Sequence, residues 1–186
     1  CHFYIRGNHN RIRIGEECKC AELEIWVEDD SNQTSIGHNT RVTGRTHLAV
    51  TEGKTLQIGD RCLLANGITM RTGDSHSIFT QDKRRCNYAE DIRIGAHVWI
   101  AQGVYILKGV SVGRDSVIGA GAVVTKSVPE ETAAAGNPAY IISNKESMTV
   151  TFHVAEKARN VLAVGDHVTV ERDGAEYDGI ITEIGT

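Results

Sequence analysis

Ile94, Ile100, Ile106, Val112, Ile118 and Val124 stand six residues apart without interruption. Two places before each stand Ile92, Val98, Val104, Val110, Ser116 and Ala122, apolar or small every time. A small residue follows at Gly95, Ala101, Gly113 and Gly119. Positions six apart on an α-helix rotate by about 240 degrees and cannot share a face. In a strand, i and i−2 point the same way. The pattern predicts an all-β fold of short strands, each turned by a small residue, with three strands to a circuit. That is a triangular parallel β-helix.

The same phase runs upstream. Ile58, Leu64 and Met70 are again six apart, and Ile58 lies 36 residues before Ile94, which reads as two circuits of 18. Ile14-Gly15, Ile36-Gly37 and Ile58-Gly59 recur every 22 residues, a circuit plus four inserted residues. The inserts are polar, as in Glu28 to Asn32, and read as corner loops. Each inward residue is expected to stack on its equivalent about 4.8 Å away in the next circuit. Continuous Ile/Val/Leu columns and backbone ladders would then hold the coil together.

Two segments break the pattern. Phe79 to Asp91 has no hexad, carries Lys83, Arg84 and Arg85, and reads as a projecting loop over 79–91. The hexads stop near Lys145. The chain therefore divides into a β-helix domain at 1–144 and a small C-terminal β appendage at 145–186 of open role. In the appendage, Val150, Phe152 and Val154 alternate, as do Val168 and Val170. Turns are expected at Val164-Gly165-Asp166 and Arg172-Asp173-Gly174. Ala155 to Leu162 has room for a helical turn or two.

Composition narrows the classes of function. Among 186 residues, Lys and Arg total 20 against 24 Asp and Glu, a net charge of −4. No basic footprint for nucleic acid results. Mean hydropathy is −0.25, and no apolar run approaches the ~18 residues of a membrane span. No leader pattern opens the chain. It starts at Cys1 rather than Met, so preceding residues are expected to be missing. Cys1, Cys18, Cys20, Cys62 and Cys86 are odd in number and scattered, which points to free thiols in a reducing compartment such as the cytoplasm.

The run DIRIGAHVWIAQGVYILKGVSVGRDSVIGAGAVVTKSVPEETAAAGNPAYII, Asp91 to Ile142, carries a family resemblance together with RTGDSHSIF, RGNHNRIRIG and EDDSNQTSIG upstream. Over about residues 5 to 144 the chain resembles the hexapeptide-repeat acyltransferases of the maltose, galactoside and capsular-polysaccharide O-acetyltransferase group. The resemblance implies a left-handed β-helix and a homotrimer. It implies acetyl-CoA as co-substrate in clefts between subunits, and no metal. The expected activity is transfer of acetyl from acetyl-CoA to a hydroxyl of a sugar or polysaccharide precursor.

His76 is the expected catalytic residue. It stands 18 residues after Ile58 and 18 before Ile94, where the column would otherwise want an aliphatic side chain. A sugar hydroxyl must lose its proton as it attacks a thioester, and imidazole, with an ordinary pKa near ~6.5, suits a general base at neutral pH. The competing reading is a structural histidine at a corner. Asp74 either orients the imidazole, binds an acceptor hydroxyl, or stabilises the turn after Gly73. By resemblance, VIGAGAVVTK carries CoA binding onto Ala120, Thr125 and Lys126, with Gln102 in the equivalent place one circuit earlier. Trp99 either flanks the cofactor or faces a neighbouring subunit, and Asn137-Pro138 ends the helix. Arg45 and His47, in GRTHL, stand where galactoside-type relatives place an Asn-bearing acceptor segment, and would favour an acidic glycan. Two other classes compete. A zinc enzyme of β-helical carbonic anhydrase type needs three converging histidines, yet His76 and His97 are 21 apart and out of phase. A non-catalytic trimeric scaffold displaying the appendage is the other.

Overall fold

The structure is a computed structural model that describes residues 1–144, 163–172 and 175–182. Within 1–144 the chain winds a left-handed triangular parallel β-helix. On its first face, Arg11–Ile14, Gln33–Ile36, Thr55–Ile58, Ile92–Ile94 and Ser111–Val112 pair in parallel register. Their inward column is Ile14, Ile36, Ile58, Ile94 and Val112. On the second face Val42, Leu64, Ile100, Ile118 and Ala134 stack in the same manner. On the third, Ile25, Leu48, Met70, Ile106 and Val124 do so. All but Ile14, which lies on the first rung, are buried. The earliest circuits use longer strands, Lys19–Val27 and Arg41–Val50, which run unbroken across the corner between the second and third faces. A register shift between Cys20 and Glu22 accommodates the bend.

The ladder corrects the count of circuits. Ile58 pairs directly with Ile94, so the 36 residues between them are one circuit and not two. An ordinary circuit takes 18, as from Ile94 to Val112. An 18-residue insertion keeps the phase of the hexads, so spacing alone cannot tell it from a circuit. The excursion leaves the third face after Arg71 and returns at Ile92, and so begins before Phe79. Its neck closes where the Glu90 N–H donates to the Thr72 carbonyl at 2.8 Å. His76 therefore belongs to the excursion, and its position is exposed rather than columnar. The smaller inserts, Glu28 to Asn32 and Thr51 to Lys54, leave the coil at the same corner, so one edge of the prism carries all three insertions.

The β-helix ends where Thr132–Gly136 turns back through a cis Asn137-Pro138 bond into antiparallel Ala139–Asn144. A separate compact unit spans Thr149–Thr186. In it, His167–Arg172 and Ala175–Ile180 form an antiparallel hairpin, preceded by a turn with Gly165 at φ +99. The strand expected at Val168 and Val170 is present. Val150, Phe152 and Val154, and the helical turn expected at Ala155 to Leu162, lie outside the described residues. Among the described residues no helix is long and apolar enough to cross a membrane.

Candidate active site

The excursion bearing His76 is folded around Asn87, which is buried. The Asn87 amide Nδ2 donates to the His76 carbonyl at 2.7 Å and to Asp74 Oδ2 at 3.0 Å. Its Oδ1 accepts the Ile78 N–H at 2.6 Å. One side chain thus grips the segment 74–78 at three points. Ser75 sits at φ 64, a left-handed conformation unusual for a non-glycine residue, and Arg71 Nη2 donates to its hydroxyl. The His76 imidazole is left exposed, with no hydrogen bond to any described residue.

Two ion pairs fasten the excursion to the coil. Lys108, one rung on from Arg71 and Thr72 at the same corner, pairs with Asp74. That hydrogen bond holds the Asp74 carboxyl below the ordinary carboxylate range, helped by Asn87 and opposed by burial. At the neck, Arg85 donates to Glu52 Oε1, and Glu52 Oε2 accepts the Ala89 N–H at 3.1 Å. Arg85 also lies over the Tyr88 ring, 4.9 Å from its centroid. The Arg85 hydrogen bond lowers the Glu52 pKa. Asp74 is therefore anionic and engaged with Lys108 and Asn87, and makes no hydrogen bond to the His76 ring.

The other residues singled out in the sequence fall into separate groups. Arg45, Gln102 and Ala120 stack at the corner between the second and third faces. The Gly67 N–H donates to the Arg45 carbonyl at 2.7 Å and the Gly103 N–H to the Asn66 carbonyl at 2.9 Å. The Gly121 N–H then donates to the Gln102 carbonyl at 2.8 Å. Thr125 and Lys126 lie on the opposite edge of the third face, one rung beyond Leu107 and Lys108, on the corner that carries His76. Between these edges run His47, Thr69, Tyr105 and Val123, pointing outward from the third face. The four candidate CoA residues therefore frame one face from both sides. Trp99 points outward from the second face beside Leu63 and Val117. His97 binds Asp115 at 2.8 Å on a different corner from His76. Among the described residues, no three His, Cys, Asp or Glu side chains gather as a metal site.

Asn87, Lys108, Glu52 and Arg85 were not legible as site residues. They lie 9 to 37 positions from their partners and follow no period. The one available signal was indirect: a loop rich in polar residues needs buried partners if it is to hold a fixed shape.

Comparison with known proteins places this geometry. Residues 91–126 match the family described as bacterial transferase hexapeptide (six repeats). The crystal structure of the polySia specific acetyltransferase NeuO is 30% identical with a TM-score of 0.59, over 83% of this chain and 90% of that one. The chain belongs to the hexapeptide-repeat acyltransferase family. This family member is 38% identical to the polysialic acid O-acetyltransferase of Escherichia coli O1:K1 / APEC, over 62% of this chain and 38% of the relative. It is 37% identical to the galactoside O-acetyltransferase of Escherichia coli strain K12, over 63% of this chain and 59% of the relative. Against the structure of galactoside acetyltransferase in complex with coenzyme A, it is 31% identical with a TM-score of 0.58, over 74% of this chain and 65% of that one. The chain thus spans between 38% and 59% of the length of these two curated relatives.

Proposed function

We propose that this chain transfers an acetyl group from acetyl-CoA to a hydroxyl of a sugar or glycan, with His76 as general base. The observation that carries the reading is the exposed His76 imidazole on a segment gripped by buried Asn87 and tied through Asp74 to Lys108. A loop so held keeps its reactive group in place without spending that group's own hydrogen-bonding capacity. Relatives named for polysialic acid and galactoside acetylation, and a neighbour holding coenzyme A, support the substrate classes.

In the proposed step the imidazole takes the proton of the acceptor hydroxyl as its oxygen attacks the thioester carbonyl. The tetrahedral intermediate collapses with cleavage of the carbon–sulfur bond. The imidazolium returns its proton to the departing CoA thiolate, leaving an acetyl ester and free CoA. Lys126 offers a point charge for a CoA phosphate, and Gln102, Ala120 and Thr125 line the path. Arg45 and His47 are assigned to the acceptor by resemblance, the Arg45 cation favouring an acidic glycan. The outward apolar stripe of Leu63, Trp99, Val117 and Ala133 on the second face supports a homotrimer. The free thiols suit the cytoplasm.

The test is CoA release from acetyl-CoA in the presence of a panel of sugar and glycan acceptors. His76→Ala is expected to lower turnover by roughly two to four powers of ten with little change in acetyl-CoA affinity. Near-normal turnover in that variant would assign the histidine a structural role.

A further inference from the structure

The outward surface of the third face holds a second arrangement of side chains, nearer the start of the coil. Tyr4, Trp26, Ala49 and Arg71 occupy one outward column by ladder register. Neighbouring side chains on such a column stand about 4.8 Å apart. The Tyr4 and Trp26 rings fill successive rungs and stack with centroids 4.5 Å apart. The next rung presents only the methyl of Ala49, and the one after it presents Arg71. The small Ala49 side chain thus leaves a gap in that column, a slot between the rungs of Trp26 and Arg71.

The slot has polar groups at its side. His47 precedes Ala49 by two residues, on the same face of the strand, with its ring 6.1 Å from that of Trp26. Glu24 orients both rings. One carboxylate oxygen accepts the Trp26 indole N–H at 2.8 Å, and the other lies 3.2 Å from His47 Nδ1. The indole cannot swing away without losing that bond, and Nε2 of His47 is not used by Glu24. Trp26 and Tyr4 remain 38% and 42% exposed, so the aromatic surface is open.

We propose that this slot binds one pyranose ring of the acceptor glycan, at a subsite separate from the sugar that is acetylated. The proposal rests on the reading of the chain as a glycan acetyltransferase. A pyranose offers an apolar C–H face to the indole and hydroxyls around its rim to Glu24, His47 and Arg71. A nucleobase also stacks and carries N–H donors for a carboxylate, and the competition with CoA below distinguishes it from a sugar. Glu24 is negative and Arg71 positive, so charge alone does not select the ring, and the carboxylate and imidazole favour one that presents hydroxyls. Arg71 joins the subsite to the reaction centre, because it donates to Ser75, the residue before His76. Trp26 and Arg71 are two rungs apart, about 10 Å, a length that a short oligosaccharide spans.

The test measures binding without acetyl transfer, so its outcome is independent of activity. Trp99→Phe leaves Trp26 as the sole indole of the chain. That protein is titrated with malto-oligosaccharides, chito-oligosaccharides and oligosialic acids of increasing length, without acetyl-CoA, and read by indole fluorescence. A saturable change is expected with at least one of the three series. Ala49→Leu fills the slot from an outward position and leaves the Trp26–Glu24–His47 bonds in place. It should weaken binding about tenfold or more, as should Glu24→Gln. Unchanged melting of each variant by circular dichroism shows that the fold is kept. No saturable change with any of the three series would overturn the proposal. So would unaltered affinity in Ala49→Leu, or displacement of the sugar by CoA.

Discussion

Asn87 has no charge and cannot serve as a base near neutral pH, yet the shape of the candidate site depends on its amide. Replacing it by Ala removes donors to the His76 carbonyl and Asp74 and the acceptor for the Ile78 N–H. A misplacement of about 1 Å can cost on the order of a hundredfold in rate. Asn87→Ala is therefore expected to lower kcat by about ten- to a hundredfold while KM for acetyl-CoA stays put. Asn87→Asp keeps the acceptor but sets a second carboxylate against Asp74, so it should fare no better at neutral pH. Steady-state kinetics on both variants checks this, and wild-type kcat in Asn87→Ala would remove Asn87 from any positioning role. Asp74 gives a matching pH test. Its folded-state pKa lies below the ordinary value, chiefly through Lys108. The stabilisation is thus fully present above the ordinary carboxylate pKa, near ~4, and is lost as pH falls through the lower folded value. Lys108→Met should melt below the wild type at neutral pH, with the gap closing as the solution is acidified. A gap that persists undiminished at about pH 2 would contradict the assignment.

At the scale of the strand, the five elements between Trp99 and Val124 are only two residues long. No such strand is stable alone; each is held by its equivalents above and below, through the ladder and the inward column. The columns are not uniformly apolar. Thr34 and Thr46 are buried, and their hydroxyls find no partner among the described residues. A buried hydroxyl without a hydrogen bond costs about 1–3 kcal/mol, which an apolar group of the same shape avoids. Thr46→Val should stabilise the protein by about 1 kcal/mol, read as a higher urea midpoint with unchanged slope. A lower midpoint would mean that the hydroxyl is satisfied after all. Hexad spacing announced these strands because each buried residue recurs at a fixed interval. It misjudged the stretch between Ile58 and Ile94 because the insertion there has the length of a circuit.

Over the whole β-helix, the three outer surfaces differ in kind. Arg13, Ser35, Gln57, Arg93 and Ser111 make the first face polar. Leu63 and Trp99 make the second apolar, at 39% and 49% exposed, with Val117 and Ala133 continuing the stripe. The third carries the aromatic slot, Tyr105 and the corner of His76. A contiguous apolar stripe on an otherwise polar surface is the mark of a contact face. Sedimentation equilibrium is expected to give the mass of a trimer, and Trp99→Glu to shift it toward monomer. A wild-type monomer at micromolar concentration would rule the trimer out, and with it a cofactor cleft walled by a neighbour.

What the sequence determined by itself was periodic. A buried column demands the same kind of residue at every rung, so the β-helix was written in the spacing of Ile94 to Val124, and the family in the motifs laid over it. The period misled on the candidate base: His76 fell in phase with Ile58 and Ile94, yet the ladder puts it in the excursion, so only the motif around it singles it out. The partners of that segment were not legible. Asn87 and Lys108 meet it through contacts that occur once in the chain, and a contact that occurs once leaves no repeat to read. Tyr4, Trp26 and Ala49 became neighbours only once the ladder register was known, because stacking joins residues a circuit apart whose spacing depends on the loops between them. The column was a property of composition at intervals, and the site was a property of register.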